Sequence, residues 1–217
     1  MLKYSYSFIP NSTDDLHCLQ ASMRMVWEGL LGTPVSESDM DKMTGFREDE
    51  QSWPFEAMLA AANSGIKVRN IEDFNPKAFI NDASAELLRI SNNDQNIVDH
   101  TYRVSNVQRQ KDIVEKCIVH PNIVFEKRIP SIKDLVKYIK SANTGVICNV
   151  NARQLMGKDG YNGHFVVVES FKGAGAQLRL QDPGSPPRED CIVDNTVFHK
   201  AWASPYPRMA NMLVFEV

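Results

Sequence analysis

The sequence lacks any apolar run near the roughly 18 to 20 residues that a membrane-spanning helix needs, so no such span is expected. It also lacks a surplus of either charge: 24 Lys and Arg stand against 27 Asp and Glu, and no Lys/Arg run interrupts the chain. Nothing in that balance points to nucleic acid. Cysteine is sparse. Cys18, Cys117, Cys148 and Cys191 are far apart and form no C-x-x-C pair. A disulfide framework is not expected at this chain length without a secretory signal. Finger-type Cys/His spacing is missing too, since His17 and Cys18 are adjacent, so neither structural zinc nor any other cofactor is expected. Met1 to Pro10 carries Lys3 but no apolar core of signal-peptide length. The expected compartment is the cytoplasm, or export without a classical signal.

What is present reads as one globular domain. Hydrophobic residues at 43% and 217 residues of length are enough for a substantial core. Leu19, Met23, Val26 and Leu30 recur at three- and four-residue steps, predicting a helix over about 16–31. Asp14 or Asp15 would cap its start, and Gly32 with Pro34 would end it. Ser36 to Thr44 and Pro54 to Ala62 read as further helices, and Ile66 to Ile71 as a short strand. Residues 73–130 form the least legible part, an insertion or substrate-side subdomain. Phe79 to Leu88 and Val107 to Cys117 look helical there, Asn92 to Asn96 looks like a loop, and Val119 to Phe125 looks extended. From 131 onward come a helix to Ser141, then strands at Val146 to Asn151, Phe165 to Phe171, Gln177 to Gln181 and Met212 to Val217. Helices first and antiparallel strands after is the α+β pattern, with helices packed on one side of a sheet. The parts are about 1–72 (helical), 73–130 and 131–217 (sheet).

Three residues carry chemistry. Cys18 falls in the first turn of the best-defined helix, where free N–H groups and the positive dipole end stabilise a thiolate. His164 opens a strongly apolar strand directly after a glycine-containing loop. If Lys172 to Ala176 is a hairpin loop centred on Ala174, residue 184 faces His164 and Asp182 lies about two positions away, within side-chain reach. Asp182 would then orient His164, leaving the other ring nitrogen for Cys18. Each residue has a plainer reading: a buried cysteine, a half-exposed histidine, an Asp-Pro turn starter. Gly173-Ala174-Gly175-Ala176 has no following helix and reads as a turn rather than a phosphate loop.

The segment His17-Cys18-Leu19-Gln20-Ala21-Ser22-Met23-Arg24-Met25 resembles the nucleophile segment of C39-like peptidases, a branch of the papain-like cysteine peptidases. Gly163-His164-Phe165-Val166-Val167-Val168 resembles their histidine strand, and Asp182-Pro183-Gly184 their acidic element. The resemblance implies a papain-like fold and thiol chemistry on an amide or ester of a peptide or protein substrate. It implies an oxyanion site at the Cys18 backbone N–H and one side-chain amide. The family places a glutamine six residues before the cysteine. Ser12 stands there instead, and Asn11 is the nearest amide. Gln20, inside the helix, is assigned to packing. Trp53, Asn151 and Gly163 are the candidate substrate-binding residues, with Arg153 beside the glycine loop and Trp202, Phe198 and Tyr206 as further cleft aromatics. The same triad would also serve acyl transfer or glutamine deamidation. A catalytically silent peptide-binding module is the reading of another class, favoured by the missing glutamine.

Overall fold

The first apolar stripe becomes helix α1 (Cys18–Leu31) in the computed structural model, which describes residues 6–141, 143–173 and 176–217. Leu19, Met23, Val26 and Leu30 are all buried on it. Gly32 ends it at φ 67, a left-handed conformation that costs glycine little, and its N–H donates to Glu28 O at 2.8 Å. Neither Asp14 nor Asp15 caps the start. His17 holds the cap position without a side-chain bond, and Asp14 accepts from the Leu16 N–H in the preceding turn.

Helices α2 (Glu37–Thr44) and α3 (Pro54–Asn63) follow, α2 with Ser36 accepting from the Asp39 N–H and α3 with Pro54 in its first turn. Strand β1 (Lys67–Glu72) leads into residues 73–130, which hold α4 (Pro76–Asn81), α5 (Ala83–Ile90), α6 (Gln95–Val104), α7 (Val107–Val119) and strand β2 (Ile123–Lys127). The single helix expected over 79–88 is two, because Asp82 is extended and its carboxylate caps α5. The loop expected over 92–96 is shorter, because Asp94 caps α6 from the Asn96 N–H; its polar first turn conceals the helix in the sequence. These elements share one core with α1, through Phe79, Leu87, Val98 and Val114.

Then come α8 (Ile132–Ile139), β3 (Thr144–Asn151), α9 (Ala152–Leu155), β4 (Gly163–Lys172), β5 (Gln177–Asp182), β6 (Arg188–Asp194), α10 (Asn195–Trp202) and β7 (Asn211–Glu216). The chain is thus α+β. The sheet runs β2-β1-β7-β3-β4-β5-β6, and every neighbouring pair is antiparallel except β1–β2. The expected all-antiparallel sheet is therefore mixed, because residues 73–130 return the chain to lay β2 parallel to β1. Helices also cover both faces rather than one. Alternate strand residues divide into two apolar clusters: Ile147, Phe165, Val167 and Leu213 pack toward α1, and Val146, Val166, Val168 and Met212 toward α8 and α10. The aromatic residues Phe198 and Trp202 fall in α10.

Two contacts place the chemistry. Helix α1 lies close on the sheet at Gly145, where a Cβ would sit 2.5 Å from Val26 Cγ1. Val167 pairs with Gln181 and Val168 with Leu180, the register expected for a hairpin centred on Ala174. Ala174 and Gly175 lie outside the described residues, as does the start of the irregular N-terminal stretch, residues 1–5.

Candidate active site

Strand β4 begins four residues before its pairing with β5, so Gly163 to Val166 project past the last β4–β5 pair. Cys18, at the first turn of α1, meets β4 there. Cys18 and His164 line the same cavity, and the His164 ring with the Phe165 and Leu19 backbone N–H groups favours the Cys18 thiolate. His164 Nε2 lies 2.6 Å from Asp182 Oδ1, at the end of β5, so Nδ1 is the nitrogen left for Cys18. His164 and Asp182 are buried, at 6% and 2% exposure. Cys18 keeps partial exposure because it faces a cavity of about 330 Å³, shared with His164, Asp182, Gly163, Asn162 and Asp15.

The electrostatics follow from these contacts. Burial alone would push the Cys18 thiol up, but the His164 hydrogen bond and charge, with the two N–H donors, bring it below the ordinary thiol value. Burial disfavours the His164 imidazolium, yet the bonds to Asp182 and Cys18 raise it above the usual histidine range. Burial likewise opposes the Asp182 carboxylate, and His164, the Gly184 N–H and Arg188 outweigh it. The stable arrangement is a thiolate beside an imidazolium, titrating as a pair. The other three cysteines go the opposite way by burial: Cys117 is pushed up to about 12, and Cys148 and Cys191 are raised. All four are free thiols.

Two contributors are not apparent from the motifs. Arg188 Nε and Nη2 donate to Asp182 Oδ2 at 2.9 and 2.5 Å. It pairs with Asp182 across β5–β6, a strand pair not among those expected from the sequence. Gly184 donates its N–H to Asp182 Oδ1 at 2.9 Å, and a Cβ there would lie 2.9 Å from that oxygen and 3.1 Å from His164 Nε2.

The remaining candidates separate. Asn11 does not line the cavity. Its Nδ2 donates to Asp15 at 2.9 Å, and its Oδ1 accepts from the Ser12 and His17 N–H groups, so it braces the loop before α1. Ser12 bonds His17 and Asp14 and is occupied in the same brace. The Cys18 backbone N–H lies in the first turn of α1, whose N–H groups have no intrahelical acceptor. Gln20 is buried and donates to Thr44, tying α1 to α2. Gly163 lines the cavity. Asn151 does not: it is fully buried, with Nδ2 donating to Gly160 O and Ser204 Oγ and Oδ1 accepting from the Arg153 and Asn162 N–H groups. Arg153 bonds Asp159 O, so both residues shape the loop that walls the cavity. Trp53 lines a separate cavity, donates Nε1 to Ser105 and packs on Phe55 and Phe79. Phe198 and Trp202 are core, and Tyr206 donates to Asp94.

Among the described residues, no group of three or more His, Cys, Asp or Glu side chains converges to hold a metal, and no helix is long and apolar enough to cross a membrane. No family model matches the chain, and a search of curated proteins found no significant relative.

Proposed function

We propose that this protein is a papain-like thiol hydrolase that cleaves a peptide or isopeptide bond, with Cys18 as nucleophile, His164 as its acid–base partner and Asp182 orienting His164. The observation that carries this is that Cys18, His164 and Asp182 line one cavity, with His164 Nε2 2.6 Å from the buried Asp182 Oδ1. The four cysteines differ accordingly, one lowered beside that imidazole and three raised by burial. The Cys18 thiolate attacks the carbonyl carbon, and the oxyanion is held by the Cys18 N–H. The His164 imidazolium gives its proton to the departing amine as the C–N bond breaks. Water then loses a proton to His164 and attacks the thioester, releasing a carboxylic acid and restoring the thiolate.

A second reading keeps the triad and changes the acceptor to an amine, or the substrate to a glutamine side chain. Asn11 and Ser12 are engaged in the loop before α1, so no side-chain amide reinforces the oxyanion site from that direction, which favours a third reading, a silent binding module. One lost donor costs about 3 kcal/mol of transition-state stabilisation, for peptide and glutamine amides alike. A silent binding module is opposed by the lowered Cys18 thiol.

The test is iodoacetamide labelling near pH 6, followed by identification of the modified cysteine. Cys18 labels selectively in the wild type and loses that selectivity in His164→Ala. Equal, slow labelling of all four cysteines would remove the proposal. Incubating peptide substrates with and without an added amine separates hydrolysis from transfer.

A further inference from the structure

A second cavity lies on the α1 face of the sheet, on the other side of Gly163 from the thiol. Its floor is one cross-strand row: Glu72 on β1 opposes Asn211 on β7, Asn211 opposes Asn149 on β3, and Asn149 opposes Phe165 on β4. Trp53, Phe55 and Phe74 supply aromatic wall, and Tyr161 stands at the rim nearest the thiol, its hydroxyl 3.0 Å from where a Gly163 Cβ would be. The enclosed volume is about 130 Å³, well above the roughly 10–15 Å³ that one water needs.

The polar groups of this floor are unbalanced. Asn211 Nδ2 donates to Asn70 Oδ1 at 2.7 Å and to Glu72 Oε2 at 3.1 Å, and Asn70 Nδ2 donates to the same Glu72 oxygen at 3.4 Å. Because the ionised Glu72 only accepts, these contacts fix both amide orientations. They leave Asn211 Oδ1 without a hydrogen-bond partner among the described residues, on a residue only 4% exposed. Such a buried acceptor costs about 1–3 kcal/mol. Glu72 is the only charged residue among those lining the cavity, and none of them is Lys, Arg or His. Its carboxylate lies deep in the protein yet keeps accessible surface, which it presents to the cavity. Burial holds this carboxyl up, to about 7, with Glu86 and Asp73 adding to the shift and Asn211 and Asn70 opposing it. An ionised Glu72 with no cationic neighbour among the lining residues, set in aromatic walls, is the complement of a cation that carries N–H donors.

We infer that this cavity is a binding site for an alkylammonium or alkylguanidinium group, its N–H donors on Glu72 and its aliphatic stem against Trp53 and Phe165. The site stands apart from the thiol chemistry, and its ligand need not react.

Isothermal titration of the full chain at about pH 8, where Glu72 is ionised, tests it with four probes: n-butylammonium, n-butylguanidinium, pentanamide and pentanoate. Comparing the two cations distinguishes their sources. At least one cation binds, pentanamide at least about tenfold more weakly, and pentanoate more weakly still. Glu72→Gln, checked for folding by circular dichroism, loses at least about tenfold for the cation and keeps pentanamide unchanged. Cys18→Ala binds as the wild type does, so failure of the thiol proposal leaves this result standing. Pentanamide or pentanoate binding as tightly as the cations, or no cation binding at all, overturns the site. A folded Glu72→Gln protein with wild-type cation affinity does the same, and the probe series on the wild type decides by itself where that variant does not fold.

Discussion

Arg188 grips one oxygen of Asp182 and leaves the other to His164. The guanidinium reaches Oδ2 through Nε and Nη2 at 2.9 and 2.5 Å, while Oδ1 lies 2.6 Å from His164 Nε2. Asp182 is thus held from both sides and remains ionised while buried.

Arg188 acts through Asp182 and is a positioning residue. In Arg188→Ala the Asp182 carboxyl rises toward its ordinary value, the imidazolium weakens and the Cys18 thiol rises with it. The pH profile of Cys18 alkylation should move to higher pH, with the rate near pH 6 down about tenfold, the scale of one charge-assisted hydrogen bond. Arg188→Lys should recover part of the loss. A profile identical to wild type in the alanine variant would show that Arg188 merely pairs β5 with β6.

Gly184→Ala is the smallest change that reaches the dyad. Its added methyl meets Asp182 Oδ1 at 2.9 Å and His164 Nε2 at 3.1 Å, so the loop or the imidazole must shift. A misplacement of about 1 Å costs about a hundredfold in reaction rate, so this smaller shift should cost about tenfold. The stability loss should stay near 1 kcal/mol, because Gly184 is not part of the core. Parallel alkylation kinetics and urea melts separate the two effects. Unchanged kinetics would mean that the turn absorbs the methyl elsewhere.

Asn151→Ala strips four hydrogen bonds from the loop between β3 and β4. The N–H groups of Arg153 and Asn162, both exposed residues, lose their acceptor, and destabilisation of about 1–3 kcal/mol is expected. Amide hydrogen exchange in residues 152–162 should accelerate more than exchange in α1. Uniform acceleration across the chain would mean that the loop has no stability of its own.

Glu72 supplies a pH-dependent stability. Its folded value near 7 exceeds the unfolded value of about 4.3, so the folded state binds the proton more tightly. The contribution is fully present below about pH 4.3 and is lost as pH rises through 7. Urea denaturation between about pH 5 and 8 should show Glu72→Gln gaining on the wild type as pH rises. Parallel stability curves for the two proteins would contradict the raised carboxyl.

The amphipathic and caps-bounded elements are legible residue by residue. Leu19, Met23, Val26 and Leu30 announce α1, Ser36 announces α2, and Pro54 announces α3. Counting outward from the hairpin gives the Val167–Gln181 and Val168–Leu180 pairs, although the pairs nearer the turn are offset by one residue until a bulge between Val168 and Ser170 restores the count. Residue 184 falls beside His164, where Gly184 lies. Helix α6 escapes because it buries only Val98, and Asp82 divides one apolar run into two helices through a dihedral that no pattern encodes. Asn11 and Asn151 have the right chemical type for the roles first given them. Whether an amide faces a cavity or its own loop depends on neighbours far along the chain, such as Ser204 for Asn151.

Local sequence by itself determined which residues can do chemistry: a thiol at a helix start, an imidazole at a strand start and an acid before a Pro-Gly turn. Helix ends and hairpin registers are set by nearby residues, so those positions can be read from the chain. Tertiary structure alone decided that β1 enters the sheet between β2 and β7, that helices cover both faces, and that Arg188 completes the Asp182 site. It also placed Glu72, Asn211 and Asn149 in one row from three strands. Those relationships join positions up to about 140 residues apart, and only packing of the whole core selects among the pairings such a distance allows.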